Sequence, residues 1–190
     1  MDDLIDKHLA QHQQTMVVVR EQMQPRIAAC ADLICDALKK GHKILLMGNG
    51  GSAADAQHFA AELVGRYRRE RQGLPAIALS TDTSILTAVG NDYGFDRIFS
   101  RQVEALAQPG DVVVGISTSG NSRNVLEAIT VAEELGCKTV GLLGQDGGVL
   151  GEAVLLALTV PVRETPHIQE AHITIIHILC DLIEGRMLVE

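Results

Sequence analysis

The sequence predicts an α/β domain: a three-layer αβα sandwich on a five-stranded parallel sheet, with an N-terminal helical extension and a long C-terminal helix. Three observations predict it. Five short apolar runs, Ile44–Met47, Ala76–Leu79, Val112–Ile116, Thr139–Leu143 and Leu155–Val160, have strand length. They are continuous rather than alternating, as in strands buried on both faces. Helical segments separate them, and such strand–helix alternation gives a parallel sheet with helices on both sides.

Residues 2–40 read as helix, with a loose apolar stripe at Leu4, Ile5, Leu9, Met16 and Val19 and a break at Pro25. Ile27, Ala31, Ile34, Cys35 and Leu38 then repeat at helical spacing. Two helices ahead of the first strand exceed what a doubly wound core needs, so residues 1–40 are expected at a subunit interface. Between the strands, residues 52–67, 95–107 and 121–135 read as helices, and the last helix runs from about His167 to Met187. No repeat, low-complexity stretch or linker divides the chain, so residues 1–190 read as one domain. Right-handed crossovers bring the strand C-terminal ends to one edge, where ligands of such sheets bind.

Composition narrows the partners. With 24 acidic against 16 basic residues the net charge is -8, which argues against nucleic acid and against a polybasic membrane binder. Cys30, Cys35, Cys137 and Cys180 form no C-x-x-C pair and read as small buried hydrophobes of a reducing compartment. The acidic start (Asp2, Asp3, Asp6) is wrong for a signal peptide, and the most apolar stretch, 153–160, is too short to span a bilayer. A soluble, cytoplasmic protein is expected. Aromatics are 3% of the chain and lie between Phe59 and Phe99, so the core is aliphatic.

Two turns could hold a phosphate. After the first strand come Gly48-Asn49-Gly50-Gly51-Ser52-Ala53 and then a helix start, which offers free N–H groups and a positive dipole end. Gly48, Gly50 and Ala53 formally fit the G-x-G-x-x-A dinucleotide fingerprint. The acidic residue that fingerprint needs about twenty residues on is misplaced, since Glu70 comes too early and Asp82 too late. After the third strand come Ser117, Thr118, Ser119, Gly120, Asn121 and Ser122. Asn121 stands where a nucleotide-triphosphate loop has lysine. Four hydroxyls at a helix start exceed what a helix cap needs, so a monophosphate cradle is expected.

The chemistry-bearing residues sit on two helices. His58 and Glu62 are four apart and share a helix face, either as a surface pair or as part of a site. On the last helix Gln169 and His177 lie about 80° apart, whereas His172 falls about 140° from His177. One ligand can therefore meet Gln169 and His177 but not both histidines. His172 and Glu170 read as interface or surface residues. His177, amid isoleucines, reads equally as a core histidine or a site residue.

Four blocks, GNGGSAADAQHFAAEL, TAVGNDYGFDRIFSRQVEAL, GISTSGNS and TPHIQEAHITIIH, resemble the sugar isomerase (SIS) family, whose fold is flavodoxin-like, and within it the bacterial phosphoheptose isomerases. The resemblance runs from about Lys43 to Glu184, and the first forty residues carry no motif. It implies an isomerase converting sedoheptulose 7-phosphate to D-glycero-D-manno-heptose 7-phosphate through an enediol, the first step of nucleotide-activated heptose synthesis for lipopolysaccharide or another surface polysaccharide. It further implies a homotetramer with active sites at subunit interfaces.

By residue-to-residue match the resemblance assigns catalysis to Glu62 and His177. It assigns one zinc ion per subunit to His58, Glu62, Gln169 and His177. Substrate contacts fall to Asn49, Gly50, Gly51, Ser52, Glu62, Asn91, Asp92, Ser117, Thr118, Ser119, Ser122 and Gln169. A group that holds zinc tightly is a poorer base, so the metal is held loosely or its ligands exchange during turnover. For Asn91-Asp92 a simple turn is the competing reading. His167 stands where the family usually has Arg or Lys, which makes affinity pH-dependent if that position holds substrate. The rival function is a non-catalytic SIS protein that binds a replication initiator, or a sugar phosphate as a regulator. The full set of His58, Glu62, Gln169 and His177 favours the enzyme.

Overall fold

The computed structural model describes residues 2–188. The ends of the expected 1–190 unit, Met1, Val189 and Glu190, lie outside the described residues. Five strands form one parallel sheet in the order β2-β1-β3-β4-β5: β1 Ile44–Gly48, β2 Ala76–Ala78, β3 Val112–Ser117, β4 Lys138–Gly144 and β5 Leu156–Val160. Each matches a run expected from the sequence.

Residues of one strand serve two cores by alternation. Ile44 and Leu46 join a layer with Ile34, Phe59, Leu63 and Ile175, whereas Leu45 and Met47 join Phe99, Val103, Val125 and Ile129 on the other face. That two-sided burial is why the runs are apolar throughout. The first layer holds α2 Gln24–Lys39, α3 Gly51–Val64 and α8 Thr165–Met187. The opposite layer holds α5 Ser100–Leu106, α6 Arg123–Glu134 and α7 Gly148–Ala153.

The N-terminal extension is α1 Asp2–Gln22 followed almost without interruption by α2. The expected break is present at Met23, two residues before Pro25, which sits in the first turn of α2 where its missing N–H costs nothing. Met23 between the helices stays in the right-handed region. α2 packs fully into the core, so it is no mere appendage; α1 leaves Leu4, Ile5 and Leu9 about 60% exposed.

Two helices, α4 (Thr83–Tyr93) and the short α7 between β4 and β5, were not expected. α4 Thr83–Tyr93 occupies a stretch that reads as an apolar segment and a turn, and none of its residues is buried. Asp82 caps it by accepting from Ile85 N–H at 2.9 Å. The expected helix over 95–107 is a 3-10 turn, Phe95–Arg97, followed by the shorter α5.

The strand order reverses between β1 and β3, so their C-terminal ends form the switch point where such sheets open a crevice. β1 leads into α3 and β3 leads into α6, which places both glycine- and hydroxyl-rich turns at that crevice.

Candidate active site

The turn after β1 runs directly into α3: Ser52 and Ala53 N–H already bond to the Asn49 and Gly50 carbonyls. No side chain caps this helix start, so its dipole end is available to an anion. Gly51 is needed for a close approach. A Cβ there would lie 2.5 Å from Gln169 Nε2, so the absence of a side chain lets Gln169 of α8 seat over the turn.

The turn after β3 is organised by its hydroxyls. Ser122 is the N-cap residue of α6, yet its hydroxyl does not cap the helix; it pairs with the buried Ser117 hydroxyl at 2.9 Å. Ser119 Oγ accepts from Asn121 N–H, and Asn121 Nδ2 donates to the Ser119 carbonyl. Gly120 has φ +67, and a Cβ there would come within 2.0 Å of the Gly147 carbonyl, so only glycine allows this turn to lie against the loop before α7. Thr118 and Ser119 remain half-buried at the crevice.

The two turns are tied to each other by a residue that the sequence reading did not single out. Asn49 and buried Asn124 exchange reciprocal amide hydrogen bonds, each 2.9 Å. An Asn inside the first turn of a helix after a hydroxyl-rich loop was the available signal, since Asn is a poor helix former.

On the next two turns of α3, His58 Nε2 lies 3.3 Å from Glu62 Oε1 and 3.0 Å from His177 Nε2 of α8. The imidazoles meet edge to face, and the Tyr67 ring stacks on His177 with centroids 5.6 Å apart. His177 borders an open cleft of about 600 Å³ that continues along α8 past Thr174 and Asp181. His58, Glu62 and His177 thus come together, and Gln169 joins the same helix pair through Gly51.

Asn91 and Asp92 do not join them within this chain. They lie in the last turn of α4, exposed, with Asn91 Nδ2 donating to Asp92 Oδ1 at 2.8 Å. The turn reading is corrected to a helix end.

His172 is corrected too. It is fully buried rather than at a surface, with Nε2 donating to the Leu143 carbonyl at 2.9 Å. Burial pulls its pKa down to about 4, against the opposing pull of that hydrogen bond. His167 is likewise buried: Nδ1 meets Glu170 Oε2 at 2.9 Å and Nε2 meets Gln11 of α1 at 3.3 Å. His12 also meets Glu170, at 2.8 Å. His167 therefore joins α8 to α1.

Asp55, three residues before His58, was also missed. One of its carboxylate oxygens is buried without a partner, and desolvation raises its pKa to about 6 although the nearby His58 pulls the other way.

The donor set suits zinc, with imidazole nitrogens and oxygen donors and no thiolate, as in catalytic rather than structural sites. Ligand atoms about 2.0–2.2 Å from one tetrahedral ion lie roughly 3.3–3.6 Å apart. The separations at His58 Nε2 are close to that. Among the described residues no group of three or more His, Cys, Asp or Glu side chains is gathered as a metal centre. The fit therefore rests on donor chemistry and on the two contacts at His58.

The SIS domain model matches residues 7–144, which include the first four strands of this parallel sheet and both turns at its switch point. The match starts within α1, so the likeness reaches further toward the N-terminus than the sequence blocks suggested. The chain belongs to the SIS domain family and, within it, to the phosphoheptose isomerases. It is 63% identical over 187 residues to the phosphoheptose isomerase of Geotalea daltonii, covering 98% of this chain and 97% of that one. It is 64% identical to that of Geobacter sulfurreducens, covering 98% and 99%. The solved phosphoheptose isomerase GmhA of Neisseria gonorrhoeae superposes with a TM-score of 0.93 at 45% identity, covering 97% and 98% of the two chains.

Proposed function

We propose that the protein isomerises sedoheptulose 7-phosphate to D-glycero-D-manno-heptose 7-phosphate, the entry to nucleotide-activated heptose for a surface polysaccharide. The observation that carries the reading is the convergence of Glu62 and His177 on His58 from two helices. The same two helices meet the β1 turn at Gly51 and Gln169. Relatives named for this activity, nearly full length and more than 60% identical, support it.

The charge of the protein requires a particular kind of phosphate binding. At a net charge of -8 a sugar phosphate dianion is not drawn by bulk attraction. Neither turn contains Lys or Arg. Binding falls to the starts of α3 and α6, to backbone N–H groups and to the hydroxyls of Ser117, Thr118, Ser119 and Ser122. Ser52, buried in the first turn of α3, lines the other side.

Aldose–ketose exchange moves one proton between C1 and C2 and one between the oxygens. Glu62 takes and returns the carbon-bound proton, and His177 serves the oxygens. Such placed acid–base groups are worth about 10²–10⁴-fold. Asn49 and Gln169 donate to sugar hydroxyls; where subunits meet, Asn91 donates to them and Asp92 accepts from them. His58, Glu62, Gln169 and His177 would hold a zinc ion, which supplies Lewis-acid polarisation of the carbonyl when bound.

The assembly is a homotetramer with its sites completed at subunit contacts, in the cytoplasm. The exposed apolar stripe Leu4, Ile5 and Leu9 on α1 supports association. Among the described residues no helix is long and apolar enough to cross a membrane.

The test is turnover of sedoheptulose 7-phosphate by the purified chain, with and without added zinc, alongside Glu62→Gln and His177→Ala. Each substitution is expected to lower kcat by at least about 10². Absence of turnover by the wild type under both conditions refutes the isomerase and leaves a non-catalytic SIS protein.

A further inference from the structure

The segment after α3, residues 65–73, has no regular structure, yet it is tied down by a buried carboxylate on another helix. Glu184, near the end of α8, has no exposed surface. Its two oxygens accept backbone N–H bonds from Tyr67 at 2.7 Å, Arg68 at 2.9 Å and Arg69 at 3.0 Å. Arg71 Nε adds an ion pair at 3.3 Å. Burial alone pushes the Glu184 carboxyl up, but these N–H groups and the Arg71 charge outweigh it and hold the acid below its usual range.

Arg71 faces the other way as well. Its guanidinium donates to the carbonyls of Glu62 at 2.7 Å, Leu63 at 2.8 Å and Gly65 at 3.2 Å. These are the orphan acceptors of the last turn of α3, where a cation is also favoured by the helix dipole. The Glu184–Arg71 pair therefore links the helix that carries Glu62 to the helix that carries His177.

Glu184 is seven residues beyond His177, two turns along the same face of α8, or about 10 Å. Tyr67 spans that gap. Its N–H is fixed to Glu184, and its ring stacks on the His177 imidazole at an interplanar angle of 24°. The ring blocks one face of an imidazole whose edge must meet His58.

We propose that Tyr67 is a positioning residue for the reaction, anchored at its backbone by the buried Glu184–Arg71 pair so that its ring fixes the plane of His177. The inference rests on the isomerase reading above. It assigns the Tyr67 ring a role and gives its hydroxyl none.

Three proteins decide it: the full chain, Tyr67→Ala and Tyr67→Phe, assayed on sedoheptulose 7-phosphate, with a crystal structure of the alanine variant. Tyr67→Ala is expected to lose about tenfold or more in kcat with KM within about twofold, as misorientation of a reacting group does. Its His177 ring should leave the plane it holds in the wild type. Tyr67→Phe is expected to recover most of kcat. Wild-type kcat in Tyr67→Ala overturns the proposal, and so does equal loss in both variants, or a rise in KM at unchanged kcat. Glu184→Gln should reproduce the kcat loss at unchanged KM; if it does not fold, the Tyr67 pair still decides. If the wild type does not turn over this sugar, the functional reading fails by itself. The His177 orientation in Tyr67→Ala then judges the positioning role, and an unmoved ring overturns it.

Discussion

The Nε2 atoms of His58 on α3 and His177 on α8 face each other at 3.0 Å. Two such nitrogens cannot both offer lone pairs, nor can both carry protons, without repulsion. Either one donates to the other, or a cation takes both lone pairs. The proposed zinc corresponds to the second arrangement and predicts uptake of one ion per chain, with Glu62 and Gln169 as the further donors. His58→Ala and His177→Ala should each weaken zinc binding by more than about tenfold. Competition with a chromophoric chelator measures this. Wild-type affinity in either variant would remove that histidine from the set.

Gly51 and Gln169 offer a substitution that alters the site and spares the fold. Gly51 is helical, and the atoms an added Cβ would meet are those of the Gln169 side-chain amide, which is free to swing away. Gly51→Ala should leave the unfolding midpoint nearly unchanged and lower kcat/KM about 10–100-fold by displacing Gln169. In a double-mutant cycle, Gly51→Ala should add little once Gln169→Ala is present. Full additivity of the two losses would mean that the glycine acts through something else.

What the sequence disclosed depended on how each element is stabilised. The five strands were legible because each is buried on both faces and carries an uninterrupted apolar run. His58 and Glu62 were legible because helical spacing puts i and i+4 on one face. α4 was not, because none of its residues is fully buried and, apart from Leu86 and Ala88, it is built from residues with weak helix preference. Its one local signal was the Asp82 cap. The contact between His58 and His177 was beyond any spacing argument, since 119 residues separate them. Asn124 was overlooked because its meaning lies in its partner, 75 residues away. Helical spacing separated His172 from His177, but only the packing of α8 sends one to the Leu143 carbonyl and the other to His58.

The Asn49–Asn124 pair joins the two turns proposed to hold the phosphate, so Asn124 is expected to matter for binding rather than for chemistry. Asn124→Ala leaves the Asn49 amide without its partner, at a cost in stability of about 1–3 kcal/mol. Asn124→Asp keeps an acceptor for Asn49 Nδ2 but loses the return donor and adds a negative charge beside the turns. Its KM should exceed that of the alanine variant, and the excess should shrink with added salt, because screening weakens repulsion of the substrate phosphate. Equal KM values for the two variants would show that the pair does not border the phosphate.

Two groups lose their stabilising contribution to acid in separate windows, His172 and Glu184, against an opposing gain from Asp55, whose folded pKa is raised to about 6. His172 is neutral when folded, with a pKa near 4 against an ordinary value of 6.5. Below pH 6.5 the unfolded chain takes a proton that the folded chain refuses, so the contribution of this group is whole above pH 6.5 and is lost as pH falls toward 4. Between pH 7 and pH 5 the loss amounts to about 2 kcal/mol. Glu184 acts lower. Its folded pKa lies below the ordinary 4.5, so its contribution is intact above that value and disappears as pH falls through the folded pKa. Urea unfolding at pH 7, 5 and 4 separates the two. His172→Gln keeps a donor for the Leu143 carbonyl but does not titrate, so it should flatten the decline between pH 7 and pH 5 and leave the steeper loss below pH 4.5 in place. An equal decline from pH 7 to pH 5 in wild type and His172→Gln would show that His172 is not the group that refuses the proton.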